Sequence, residues 1–313
     1  MSKRIQALVG GFLLLAVAAC NQPEQSITAG GRVIRFELER NRMILPVTVG
    51  TSDTLRVILD SGMPFDGLYL FHKEMLDQVA LPGSIEVRVP GAGAGEASTA
   101  IMTDSGTFRI GGMEFSDQRI IVSQSDHTQS FATDGVLGYT LLGRGVVAID
   151  FDRLEIAVYD SALVLDSTWS TIPFTLRDNI PFLDIGVIVG DDTVTVGTYM
   201  DIAAGEALEI LVREDMKVPV PVAAETVYLG TGLSGDFHGR VGRIDGVVIG
   251  SYVLSDVVAA FPQAEIRSKQ GDADAIIGND LLRRFNVVFD YGREQLHLKP
   301  NEAFGEAFVE VAR

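Results

Sequence analysis

With 313 residues, 47% of them hydrophobic, the chain carries enough apolar side chains for one large core or two ordinary ones, which excludes a disordered polymer. Its 42 acidic residues against 25 Lys and Arg give a net charge of −17, and a surface of that sign repels nucleic acid and anionic lipid alike. One cysteine cannot support an internal disulfide framework.

Residues 1–19 differ in character from the rest of the chain. Lys3 and Arg4 make a basic start, residues 7–17 form an apolar stretch too short for a comfortable membrane span, and Val17-Ala18-Ala19 is a small-residue cleavage site ahead of Cys20. The ending Val-Ala-Ala-Cys resembles the lipobox of bacterial lipoproteins. That resemblance implies that Cys20 is acylated and becomes the mature N-terminus, so that the chain is lipid-anchored in the cell envelope and faces the periplasm. Asn21, where Asp would direct retention, resembles lipoproteins sorted to the outer membrane. Residues 20–31, with Gln22, Pro23, Glu24 and Gly30-Gly31, read as a short tether.

Beyond the tether the pattern is strand upon strand. Residues 35–39 alternate apolar and polar, residues 44–49 are a β-branched run ending at Gly50, and residues 55–59 are another, each bounded by turn residues. Helical periodicity is nearly absent; the candidates are residues 73–79, 139–142 and 279–284.

The chain repeats itself. Asp134-Gly135-Val136-Leu137-Gly138-Tyr139-Thr140-Leu141-Leu142, followed by the apolar run to Asp150-Phe151, returns 140 residues later as Asp274-Ala275-Ile276-Ile277-Gly278-Asn279-Asp280-Leu281-Leu282 and the run to Asp290-Tyr291. Val49-Gly50 returns as Val189-Gly190, Ile110-Gly111 as Ile249-Gly250, and Phe36, Leu38 and Asn41 as Phe174, Leu176 and Asn179. One unit has been duplicated with small insertions, giving residues 32–160 and 168–305 as two lobes with a linker between them.

In the first copy an apolar strand runs into Asp60-Ser61-Gly62. A strand end sets the carboxylate in the floor of a cleft, the Ser61 hydroxyl can bond across to hold the loop, and Gly62 permits close backbone approach. A second Asp-Ser-Gly, at residues 104–106, follows the polar Met102-Thr103 and reads as an ordinary turn. The position of Asp60 in the repeat distinguishes it: downstream come Val136-Leu137-Gly138, a short helix and an apolar strand. This succession resembles the half-domain of retropepsin-like and pepsin-like aspartic proteases, in the two-copy bacterial form, over nearly all of residues 33–300. The resemblance implies an all-β fold of two tandem β-barrel lobes with short helices, pseudo-twofold, with a cleft between them. It makes Val136, Leu137, Gly138 and Ile276, Ile277, Gly278 the strands that brace the catalytic loops. It also makes Asp60 and Asp201 the catalytic pair, Asp201 following Tyr199-Met200 at an offset of 141. Here the second copy departs from the family: Ile202 and Ala203 replace the hydroxyl residue and the glycine.

Such lobes need flaps, glycine-rich hairpins over the cleft. Gly91, Gly93 and Gly95 and, 139 residues on, Gly230, Gly232 and Gly235 are the candidates, with an idle surface turn as the alternative for each. The second set spells Gly-x-Gly-x-x-Gly, but no helix follows for a pyrophosphate to cap, so it reads as a hairpin. His72, His127, His238 and His297 lack ligand spacing, and no metal or other cofactor is expected. Tyr69, Phe71, Tyr199 and Phe237 are the aromatic candidates for a cleft wall or for core. The expected activity is that of a membrane-anchored aspartic endopeptidase, a monomer acting on peptide or protein through a water activated by two aspartates. The alternative is an impaired protease-like lipoprotein that binds peptide or envelope polymer without cutting it.

Overall fold

Alternating burial builds the strands. In Leu55–Leu59 the side chains of Leu55, Val57 and Leu59 are buried while Arg56 and Ile58 are partly exposed, the period of two of a strand with one face in a core. The computed structural model describes residues 26–267 and 271–310; Cys20 and residues 1–19 lie outside the described residues. The first lobe is an eight-stranded sheet in the order Glu37–Glu39, Arg42–Val49, Leu55–Leu59, Gly135–Leu137, Leu68–Leu70, Met113–Ser123, Ser98–Ile110, Ile85–Val89. Pairing of Arg42–Val49 with Ser98–Ile110 closes it. The second lobe repeats that order with Thr175–Arg177, Ile180–Val189, Asp192–Met200, Ala275–Ile277, Leu208–Ile210, Tyr252–Pro262, Gly235–Ile249 and Glu225–Gly232, closed by Ile180–Val189 on Gly235–Ile249. The all-β, two-lobed expectation is borne out.

A six-stranded sheet joins the lobes. Its order is Arg32–Arg35, Glu155–Tyr159, Val146–Asp150, Phe285–Asp290, Gln295–Pro300, Ser170–Pro173, and its central pair crosses between the copies. In that pair Ala148 lies opposite Val288, its own equivalent in the repeat, so the pseudo-twofold axis passes between them. One buried cluster runs through both lobes, from Leu59 and Leu137 to Met200 and Ile277.

The asparagines of the repeat clamp the lobes. Arg40-Asn41 and Asp178-Asn179 are two-residue hairpin loops with φ of 47° and 60°, and of 48° and 66°, the left-handed pair whose twist suits flanking strands. Asn41 Nδ2 donates to the Gly205 carbonyl (2.9 Å) and Asn179 Nδ2 to the Pro64 carbonyl (3.0 Å). Each lobe's first hairpin therefore holds the other lobe's aspartate-bearing loop.

Three expectations change. Asp104-Ser105-Gly106 is not a turn: it lies inside Ser98–Ile110, where the register shifts between Thr103 and Gly106, because a bulge accommodates polar residues and glycine without ending a strand. The tether is docked over the part described: Thr28 is buried, its hydroxyl on Glu155, and Ser26 Oγ bonds Asp150. The helical turns are Lys73–Asp77, Tyr139–Leu142 and Asn279–Leu282, but Asp126–Ser130 and Ala264–Arg267 were not expected.

Candidate active site

Both aspartates sit at strand ends made the same way. Leu55–Leu59 runs parallel to Gly135–Leu137, and the Asp60 amide continues the ladder by donating to the Leu137 carbonyl (2.8 Å). Asp192–Met200 runs parallel to Ala275–Ile277, and the Asp201 amide donates to the Ile277 carbonyl (2.9 Å). Gly138 and Gly278 follow these bracing strands because nothing larger fits: a Cβ on Gly138 would lie 2.4 Å from the Asp60 carbonyl oxygen, and one on Gly278 2.1 Å from that of Glu206.

The two loops meet face to face. A Cβ on Gly62 would lie 3.0 Å from Asp201 Cγ, so the second carboxylate occupies the space that the glycine leaves. Ser61 Oγ donates to the Met200 carbonyl (2.8 Å) and accepts from the Ile202 amide (3.1 Å), bridging the lobes. The return bridge does not exist, because Ile202 is an apolar residue buried in the core. Asp60 Oδ1 accepts from the Gly62 amide (2.7 Å), whereas Asp201 Oδ1 accepts from both Ala203 and Ala204 (3.0 Å each). Ala203 thus keeps the amide that the missing glycine would offer. Burial, then the Asp201 carboxylate, hold the Asp60 carboxyl well above the usual carboxylate range, and a hydrogen bond between the two acids adds to this; the Gly62 amide and Arg267 pull the other way. A carboxyl so held keeps its proton to higher pH than a free one.

No family model matches the chain, and no curated protein matches it. Among solved structures it is similar to an aspartic proteinase from Irpex lacteus, with 14% sequence identity, a TM-score of 0.55, and coverage of 88% of this chain and 99% of that one. The fold is pepsin-like. At that identity the likeness is one of fold, and what the site does rests on its own residues.

The two glycine-rich segments touch tip to tip. Gly91, Gly93 and Gly95 lie in the loop between Ile85–Val89 and Ser98–Ile110; Gly230, Gly232 and Gly235 flank the turn between Glu225–Gly232 and Gly235–Ile249. The Gly95 amide donates to the Ser234 carbonyl (2.6 Å), and the Ser234 amide to that of Ala92 (2.9 Å). A Cβ on Gly93 would lie 2.3 Å from the Ser234 carbonyl carbon, and one on Gly232 2.3 Å from the Ala92 oxygen. Close approach of the tips is therefore what demands glycine. Each tip also holds the opposite lobe: Gly93 donates to the Ile266 carbonyl (3.0 Å), and the Leu233 carbonyl accepts from Ser98 Oγ and His127 Nε2 (2.8 Å for the latter). The Leu233 side chain packs against the apolar cluster of the first lobe that contains Met63, Tyr69 and Phe71. Leu233→Ala removes roughly 1.5–2 kcal/mol of apolar burial. Hydrogen exchange at the Gly95 and Ser234 amides is expected to accelerate about tenfold, measured by mass spectrometry; unchanged exchange means that main-chain pairing alone holds the tips.

Sequence reasoning missed a cation. Arg267 Nη2 donates to Asp201 Oδ2 (2.9 Å), and the same guanidinium grips Glu209 through Nε (2.5 Å) and Nη2 (3.1 Å). Burial alone would disfavour its charge, but Glu209 and Asp201 outweigh this and keep it firmly protonated. Arg42 reaches over from the first lobe, its Nε on the Ala203 carbonyl (2.9 Å). A signal existed: at an offset of 140, Glu209 stands opposite Tyr69 and Arg267 opposite His127, so an acid and a cation replace an aromatic and a histidine. Of the aromatic candidates, Tyr69, Phe71 and Tyr199 are buried, and Phe237 lies beside Arg267, its ring centre 5.7 Å from Cζ.

Proposed function

We propose that the chain is an aspartic-type endopeptidase anchored to the cell envelope through lipid on Cys20. The observation that carries this reading is the juxtaposition of Asp60 and Asp201 at the ends of two equivalent strands, with the Asp60 carboxyl held above the usual carboxylate range by burial and then by Asp201. In the proposed reaction Asp201 takes a proton from a water whose oxygen bonds to the scissile carbonyl carbon, while Asp60 gives its proton to the carbonyl oxygen. The tetrahedral diol then collapses: the C–N bond breaks, the amine leaves with the proton from Asp201, and Asp60 recovers one from the diol. The test is cleavage of a peptide library by the purified, signal-free protein between pH 3 and 7, its inhibition by pepstatin, and its loss in Asp60→Asn. Absence of cleavage together with absence of pepstatin binding overturns the reading. Among the described residues no helix is long and apolar enough to cross a membrane, and the anchor is tested by labelling cells with radioactive palmitate, which Cys20→Ser should abolish.

A second reading, binding of peptide or envelope polymer without hydrolysis, is favoured by one specific contact. Arg267 occupies Asp201 Oδ2, and a cation on the base weakens it.

A further inference from the structure

A buried ionic cluster beside the two aspartates needs a reason. Arg267, Asp201 and Glu209 have side chains 11%, 10% and 5% exposed, and one guanidinium serves both carboxylates. Stability does not supply the reason, because burying such a cluster is no better than apolar packing of the same volume. Nor does the architecture, since Tyr69 and His127 take the corresponding places in the first lobe, and Tyr69 packs there in an apolar cluster. The cluster stands on one side of the dyad only.

Its geometry is directional. Asp201 Oδ1 is taken by two amides, and Arg267 bonds Oδ2, the oxygen that would lie 3.3 Å from a Cβ on Gly62 and so faces the Asp60 loop. Glu209 holds the guanidinium with two bonds, which fixes its plane and takes up part of its charge. Both flaps bear on the short helix Ala264–Arg267 that carries it. Phe237, in a strand of the second flap, lies against the guanidinium, and Gly93 of the first flap bonds the carbonyl of Ile266.

We propose that Arg267 is a positioning residue that breaks the equivalence of the two acids: by holding Asp201 as the carboxylate it gives Asp201 the part of base and Asp60 that of acid, with Glu209 setting how much of the cation's charge the dyad feels. For the reaction this rests on the peptidase reading; for the protonation states it does not. The charged and titratable groups facing the pair are Arg42, Arg267, Glu206 and Glu209 and the phenols of Tyr199 and Tyr291. Charge alone sets the signs. Losing Arg267 makes every deprotonation of the dyad harder, and losing the charge of Glu209 makes each easier.

The test compares Arg267→Gln, Arg267→Lys and Glu209→Gln. Both limbs of the pH profile of kcat/KM are expected to move up by about one pH unit, tenfold in proton affinity, in Arg267→Gln. They should move down in Glu209→Gln and stay within about 0.3 unit of the parent in Arg267→Lys. The same order of midpoints is expected for the Asp60 carboxyl carbon, followed by NMR in protein labelled with 13C at aspartate, a readout that needs no turnover. Where Arg267→Gln does not fold, Glu209→Gln and Arg267→Lys carry the comparison. Limbs or midpoints that stay put, or that move in the same direction in Arg267→Gln and Glu209→Gln, overturn the proposal. Midpoints that move as stated in a protein that cleaves nothing uphold it and overturn the peptidase reading instead.

Discussion

Asp60→Asn is expected to lower peptide cleavage by about 10³-fold, the order that one positioned acid contributes, and at the same time to raise the melting temperature at neutral pH. The second half follows from linkage. The Asp60 carboxyl is held above its ordinary range, chiefly by burial and then by Asp201, so the folded chain keeps a proton that the unfolded chain gives up. That contribution to stability is complete below the ordinary carboxylate range and is lost as pH rises through the raised value. An asparagine keeps the Gly62 bond to its oxygen, donates to Asp201 through its amide, and has no proton to lose. The variant's advantage should therefore vanish near pH 3 and grow to a few degrees by pH 7, since about 1 kcal/mol moves the midpoint of a chain of this size by roughly 2–4 °C. Differential scanning calorimetry from pH 3 to 8 measures it. A difference that does not change with pH, or a variant less stable at pH 7, would show that the Asp60 carboxyl is not held above its ordinary range.

The second large effect is steric. In Gly278→Ala the new methyl meets the Glu206 carbonyl at 2.1 Å and that of Ala204 at 3.0 Å, both backbone, both in the loop that carries Asp201. Neither can swing away, because the Gly278 and Asn279 amides hold that loop through Ala207 and Ala204 (3.1 and 2.8 Å). The loop must shift as a body. Overpacking of this kind costs about 3 kcal/mol, a drop in melting temperature of roughly 6–12 °C, and on the peptidase reading displacing Asp201 by about 1 Å costs on the order of 10² in turnover. Gly305→Ala is the control, since nothing lies within 4 Å of its added carbon. Equal melting temperatures for the two variants would refute this steric account.

The repeat made most of the architecture legible, because strands of period two and a fixed offset survive in a single sequence. It located Asp60 by its motif and Asp201 by its distance along the chain and the apolar Tyr199-Met200 before it, and Gly135–Leu137 and Ala275–Ile277 run parallel to the strands that end at the two aspartates. Arg267 was not legible for a physical reason. It sits on a four-residue helix, Ala264–Arg267, too short to show a 3.6-residue period, and it reaches Asp201 and Glu209 across 66 and 58 residues of chain. The glycine-rich segments were legible as hairpin loops, but their meeting depends on contacts of 135 to 143 residues in separation, as with Ser98 to Leu233 and Gly91 to Ser234. Asp104-Ser105-Gly106 misled because a bulge and a turn use the same residues.

The pairing of Ala148 with Val288 has a consequence for how such a site can change. If two identical half-chains met through this strand, residue 148 would face its own copy and every other residue would face a partner whose copy it meets on the other side, an isologous contact that closes on two. In that homodimer any substitution enters twice. A cation placed on one acid would be placed on the other, and an isoleucine in place of the bridging serine would remove both bridges at once. Joining the halves in one chain lifts that constraint. Ser61 can remain while Ile202 appears, and Tyr69 and His127 can line one wall while Glu209 and Arg267 charge the other. Covalent fusion is thus what allows two copies of one acid to stand in different surroundings.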